Sequence, residues 1–375
     1  MITSLNNIRS SFCKGVNGLD IHYLESGYES PNRPLIVLLH GFPELSFSWR
    51  FVMKPLADQG FHVVAPDQRG FGKTTGWDNT YTEDLSTYHH INLVRDILGF
   101  VNALGYESVE CLIGHDSGAG VAGWSSLIRP DVYKSVIMKS APFGGVQPLP
   151  FDTKKSSAKV DFTDSIYDDL AELDRPRKHY QQYYRTLQAN KDLMQSDIGL
   201  RTFIRSYYYH KSADWPKNNP YPLESWSATE LSKMPTYYIM DLDEDMAETV
   251  AKVTPSQEYI QACTWLSEED IAVYEAEYQR TGFQGGLNWY RASASEGNRT
   301  KLELFSGMNI IIPSLFISGK QDWGSFQRPG TLEKMQKICT KMKPIEFIDG
   351  AGHWVQQEQP EKVVTSILNF IKSNS

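Results

Sequence analysis

The chain has 375 residues, enough for one large α/β core carrying an inserted segment. A formal net charge of -8 leaves no basic footprint, which sets aside nucleic acid and anionic membranes as partners. The four cysteines, Cys13, Cys111, Cys263 and Cys339, are scattered without CxxC or ligand spacing, so neither zinc nor disulfides are expected.

Taken along the chain, the first twenty residues lack the apolar stretch of a signal peptide. No window reaches the roughly 18 to 20 apolar residues of a membrane span, so a cytoplasmic protein is expected. Residues 34–39, PLIVLL, read as a buried strand followed by HGFPE, and residues 61–66 as a second strand. Short apolar runs bounded by Gly or Pro suit parallel strands covered on both faces. Residues 92–104 carry helical apolar spacing, 109–113 a strand leading into GHDSGAG, 117–129 a helix and 133–140 a further strand. That alternation predicts a doubly wound sheet.

The texture then changes to polar and aromatic helical stretches such as RKHYQQYYRTLQANKDLM, and the strand pattern resumes at 310–318. A helix at 331–341, a strand at 344–348 and an amphipathic helix from Pro360 follow. The expected organisation is a discontinuous core, residues 1–143 and 309–375, interrupted by a helical cap over 144–308. The richness in Tyr and Trp suits an aromatic-lined pocket. The sequon at Asn298 reads as a chance match, and Gly72-Lys73-Thr74 is not a phosphate loop because Asp67 stands where the first glycine is required.

Gly114-His115-Asp116-Ser117-Gly118 fits a strand-turn-helix elbow written G-x-Nu-x-G, which places Asp116 at the exposed turn. Ser117 falls at the first helical position, where its side chain is expected to point elsewhere while its backbone N–H has no helical acceptor. A second oxyanion donor is expected from the N–H of Phe42 in the HGFP turn. Removing one such donor typically costs about 3 kcal/mol. An Asp nucleophile argues against an esterase, since its attack on an ester gives an anhydride. The bland alternative is an ordinary turn whose Asp caps the helix. Two residues discriminate: Asp322 in KQDW and His353 in AGHW each follow the carboxyl end of a strand, where open α/β sheets place their sites. The chain order nucleophile, acid, histidine is that of the α/β-hydrolases.

GHDSGA, HGFPE, DQRGFG at 67–72, KQDW, AGHW and GGLNWYR at 285–291 together resemble the α/β-hydrolase-fold epoxide hydrolases, over residues 20–372. The resemblance implies an α/β-hydrolase fold: a mostly parallel doubly wound sheet with an inserted helical cap. It also implies a nucleophilic Asp116, a His353–Asp322 pair and two cap tyrosines that hydrogen-bond the epoxide oxygen. Tyr290 in NWYR matches the second tyrosine; the first lies among Tyr180, Tyr183 and Tyr184, with Tyr180 favoured by a Y-Q-x-Y pattern. The alternative for that cluster is helix packing inside the cap. Substrate contacts are expected from Phe42, Pro43, Tyr184, Trp289, Trp323 and Trp354.

The implied reaction opens a small-molecule epoxide to a vicinal diol through an aspartyl ester, with no cofactor and no metal; homodimerisation is left open. One departure is Ser117, where many relatives and the haloalkane dehalogenases carry Trp, which counts against dehalogenation. The alternatives are a biosynthetic cyclising enzyme acting on a polyketide or terpenoid, a haloalkane dehalogenase, a Ser117 esterase, and a binding protein on the same fold.

Overall fold

The computed structural model describes residues 7–30, 32–81, 84–145 and 164–374. The strands are β1 Arg9–Val16, β2 Leu19–Ser26, β3 Leu35–Leu39, β4 His62–Pro66, β5 Cys111–His115, β6 Val136–Lys139, β7 Arg177–His179, β8 Ile239–Asp241, β9 Ile310–Gly319, β10 Cys339–Met342 and β11 Glu346–Ile348. Among the described residues the main sheet runs β1-β2-β4-β3-β5-β6-β9-β10, with β11 also paired to β9. The β1–β2 and β2–β4 pairs are antiparallel and the rest parallel. This is the α/β-hydrolase fold, with the cap segment between β6 and β9.

Strand periodicity accounts for the two apolar layers. Val37, Leu39, Val64, Leu112, Val136 and Met138 face one layer, while Ile36, Leu38, Val63, Ala65, Ile113 and Ile137 face the other. Both faces are therefore covered, as continuous apolar runs require. The β1–β2 hairpin, absent from the sequence-based expectation, turns at Asn17-Gly18, both at positive φ. Its outer strand is largely exposed and carries little apolar signal.

Two expected helices are shorter. The helix after β9 ends at Ile338, and Cys339 to Met342 instead pair with β9, with Cys339 turned inward. The stretch RKHYQQYYRTLQANKDLM is not one helix: β7 pairs with β8, and helices Tyr180–Tyr184 and Ala189–Met194 follow. The break has a local cause, because His179 Nδ1 accepts the Gln181 N–H and starts a new helix at Tyr180.

The cap is seated by close backbone contact and by buried polar pairs. A Cβ on Gly285 would meet the Gly70 carbonyl oxygen at 2.1 Å, so the cap helix Gln284–Ala294 touches the core through two glycines. Trp289 donates from Nε1 to the Arg69 carbonyl at 2.8 Å, and Arg50 of the core pairs with Asp270 of the cap at 3.1 Å. No helix among the described residues is long and apolar enough to cross a membrane.

Candidate active site

The elbow is shaped by glycines that admit no side chain. A Cβ on Gly114 would lie 2.2 Å from the Gly118 carbonyl oxygen, and one on Gly118 would lie 2.5 Å from that of His40. Between them Asp116 is held at φ 51 and ψ -121, a conformation unfavourable for a side chain with a Cβ. The turn points its carboxylate away from β5 and into a cavity of about 310 Å³.

The two carboxylate oxygens of Asp116 meet different partners. The Phe42 N–H donates to Oδ1 at 3.1 Å, and His353 Nε2 stands 3.5 Å from Oδ2. His353 donates from Nδ1 to Asp322 Oδ1 at 3.1 Å. Asp322 is fixed in turn by the Gly324 N–H at 2.7 Å and the Ser318 hydroxyl at 3.1 Å. Asp116, Asp322, His353 and Phe42 follow β5, β9, β11 and β3, all at the carboxyl edge of the sheet.

The loop carrying His353 is tied down on every side. The His353 N–H donates to the Lys211 carbonyl at 2.9 Å, and its own carbonyl accepts from His115 Nε2 at 2.7 Å and from Ser140 at 3.1 Å. The Glu358 carboxylate accepts the N–H groups of Gly352, Trp354 and Ala213 at 2.9, 3.0 and 2.7 Å. His115 Nδ1 lies 2.5 Å from Glu44 Oε2, a fully buried contact under the elbow.

A buried cation faces this array. Lys211 ends the cap helix Leu200–Lys211, with its ammonium over the rings of Tyr238 (4.9 Å), Tyr207 (5.3 Å), Trp354 (5.5 Å) and Tyr237 (5.9 Å). Burial lowers its pKa, and the charges of Asp116, Asp322 and Glu44 offset that only in part. Burial would raise the pKa of Asp116, but the His353 contact and charge and the Lys211 charge outweigh it, so Asp116 stays ionised far below the usual range. For His353, burial and Lys211 lower the pKa, while Asp322 and Asp116 more than reverse that and leave it raised.

Of the three candidate tyrosines at 180–184, Tyr180 lies on the cavity wall. Tyr183 turns its hydroxyl to Asp192 at 2.9 Å, and Tyr184 donates to Tyr207 at 3.4 Å inside the cap. Tyr180 donates to Gln327 Oε1 at 3.2 Å and accepts from Gln181 Nε2 at 3.1 Å. Tyr290 lines the same cavity, its ring 6.0 Å from that of Tyr180, and its hydroxyl has no partner among the described residues. Burial raises both phenol pKa values, so both keep their protons at neutral pH.

Trp289 lies on the cavity wall. Phe42 packs its ring against Tyr184 and Tyr290 at 5.3 and 5.5 Å, and Pro43 accepts the Tyr208 hydroxyl through its carbonyl. Trp354 is stacked under Tyr208 at 4.2 Å, and Trp323 sits against Tyr221 at 5.1 Å. Phe42, Pro43, Tyr184, Trp323 and Trp354 thus support the cavity from behind. Ser117 borders the cavity beside Asp116, and its hydroxyl is buried, with no partner among the described residues. A first-turn residue on a sharply exposed elbow still borders the space the elbow faces.

Sequence reasoning missed Lys211, Gln181, Gln327, Arg328 and Glu358. Glu44 and His115 were inside the quoted motifs HGFPE and GHDSGA, and a polar residue at each strand end was the available signal. Lys211, in SYYYHK, carried none.

The family described as alpha/beta hydrolase fold matches residues 34–155. The chain is 30% identical over 357 residues to epoxide hydrolase A of Mycobacterium tuberculosis, covering 95% of each. It is 29% identical over 357 residues to an epoxide hydrolase of Caballeronia sordidicola, covering 95% of this chain and 92% of that one. Among solved structures, epoxide hydrolase A from Mycobacterium thermoresistibile superimposes with a TM-score of 0.73 at 30% identity, over 97% of this chain and 98% of that one.

Proposed function

The chain belongs to the epoxide hydrolases of the α/β-hydrolase fold, and from that premise we propose that it converts an epoxide to a vicinal diol through an ester of Asp116. The observation that carries this reading is the division of the Asp116 carboxylate between Phe42 N–H on one oxygen and His353 on the other. One oxygen is held by an amide donor; the other is the one free to attack.

In the first step an Asp116 oxygen attacks an epoxide carbon from behind, the carbon–oxygen bond breaks, and the departing alkoxide takes a proton from a cap phenol. Tyr290 offers an uncommitted hydroxyl, and Tyr180 must exchange Gln327 for the substrate oxygen. In the second step His353, oriented by Asp322, removes a proton from water, which adds to the Asp116 carbonyl carbon. The resulting oxyanion is met by the Phe42 N–H and by the amide of Ser117 at the start of its helix. Collapse expels the alkoxide, which takes the proton from the His353 imidazolium and leaves as the diol; the remaining water proton returns to the cap phenolate, and Asp116 is restored with a water oxygen now in its carboxylate.

Single-turnover reaction in heavy-oxygen water tests this route. The first diol should contain no label, and the label should enter the Asp116 peptide. Labelled diol in the first turnover would show direct attack of water and overturn the covalent route.

A further inference from the structure

The mechanism gives no role to the histidine on the cavity wall, His90. It opens the helix His90–Ala103 and lines the cavity with Gly120 and Trp124 of the elbow helix, Ser117–Ile128. Its side chain is partly buried, and a buried cap residue dictates its orientation. Asn298, the asparagine of the sequon, is 2% exposed and lies in the cap helix Glu296–Glu303. The His90 backbone N–H donates to Asn298 Oδ1 at 2.9 Å. A peptide N–H only donates, so the oxygen of that amide is identified and its nitrogen with it. Nδ2 then donates to His90 Nδ1 at 3.0 Å, closer than the 3.3 Å from that ring nitrogen to Oδ1.

The tautomer follows. With Nδ1 accepting, the neutral ring carries its proton on Nε2. Burial pushes the His90 pKa down to about 4, which keeps the ring neutral at neutral pH. Nε2 faces the elbow helix at Gly120, where a Cβ would lie 3.9 Å from it. Ser117, Gly120 and Trp124 share one face of that helix, and all three lie on the cavity wall, so the cavity runs from Asp116 along this face. The missing side chain at Gly120 leaves the Nε2–H open to it. The Trp124 ring stands 6.1 Å from the imidazole and 5.3 Å from Phe143. These cavity side chains beside the donor are aromatic and uncharged.

We propose that His90 is a specificity residue whose Nε2–H donates to a neutral oxygen of the substrate, a carbonyl or ether, on a chain lying along the Ser117–Trp124 face. This rests on the reading above and names its substrate class: an epoxide with an uncharged oxygen acceptor at a set distance from its ring. Gly120 stands four residues beyond Asp116, which is about 6 Å of helix or roughly five chain bonds. A single uncharged donor among aromatic rings suits an acceptor without charge, because a carboxylate would give up its hydration for one neutral partner. Holding that oxygen fixes how far the chain slides in, and hence which epoxide carbon meets Asp116.

The test takes 1,2-epoxydecane and its isomeric oxa-analogues, in which an ether oxygen replaces one methylene at a time from the second methylene outward. The isomers share size and differ in where the acceptor lies. On the full chain, kcat/KM should peak at one internal position, exceeding the neighbouring isomers by roughly fivefold, the worth of one neutral hydrogen bond. Gly120→Ala sets a methyl against Nε2 at an ordinary contact distance and removes a helical glycine, so it should fold and flatten the peak. His90→Phe removes the donor and should flatten it too. A wild-type series without a peak would overturn the proposal while leaving the epoxide hydrolase reading intact, as would a peak that survives in either variant. Inertness of every epoxide would overturn the reading of the site itself.

Discussion

The 3.5 Å contact between His353 Nε2 and Asp116 Oδ2 joins a base to the anion whose charge sustains its proton affinity. Esterification of Asp116 removes that charge. Burial and Lys211 then act on His353 with only Asp322 opposing them, so its pKa falls at the step where a neutral imidazole is required. Asp116→Ala reproduces the loss of charge. An imidazole NMR titration should place His353 at lower pH in that variant than in the wild type; an equal or higher value would refute the coupling.

Lys211 pushes in the same direction, since its charge lowers the His353 pKa. Replacing it with Met removes that influence, and the His353 pKa rises further. Because the base must be deprotonated, the acidic limb of the kcat–pH profile should move to higher pH in Lys211→Met. A profile displaced to lower pH, or unmoved with reduced kcat throughout, would leave Lys211 a packing role only.

The two cap phenols are unequal before substrate arrives. Tyr180 donates a hydrogen bond to Gln327, whereas Tyr290 has no partner among the described residues. Tyr290→Phe should therefore slow alkylation more than Tyr180→Phe, measured as single-turnover ester formation. Gln327→Leu frees Tyr180 and should lower KM a few-fold, the net worth of one neutral hydrogen bond, about 1 kcal/mol. Larger damage from Tyr180→Phe would reverse the assignment.

Ser117 is a small residue at the cavity border, its hydroxyl buried without a partner among the described residues. Ser117→Trp should shrink the space beside Asp116 and reduce kcat/KM for bulky epoxides far more than for styrene oxide. Uniform losses over a size series would mean that the helix start, rather than the pocket, had been disturbed.

Much of the fold was legible because its signals are local. The apolar runs of β3, β4 and β9 lie in strands that pack on both faces, and Gly114 and Gly118 mark the elbow. Asp116, Asp322 and His353 stood out because each follows a strand end. What escaped depends on distance in sequence. Lys211 acquires its surroundings from Tyr207, Tyr237, Tyr238 and Trp354, which no spacing rule gathers. The outer strand β1 escaped because edge strands need little apolar patterning, and the broken helix at 177–194 because polar–aromatic runs satisfy helical and extended periods alike.

The Glu358 staple and the His353 N–H reach into the cap, to Ala213 and to the Lys211 carbonyl. On the proposed route the general base is thus suspended in part from the cap segment. A lifted cap would slacken both tethers and take the imidazole out of register with Asp116. On the proposed route, a displacement of residues 211–213 would therefore cost ester hydrolysis before it cost ester formation, because only the second step needs the imidazole in place.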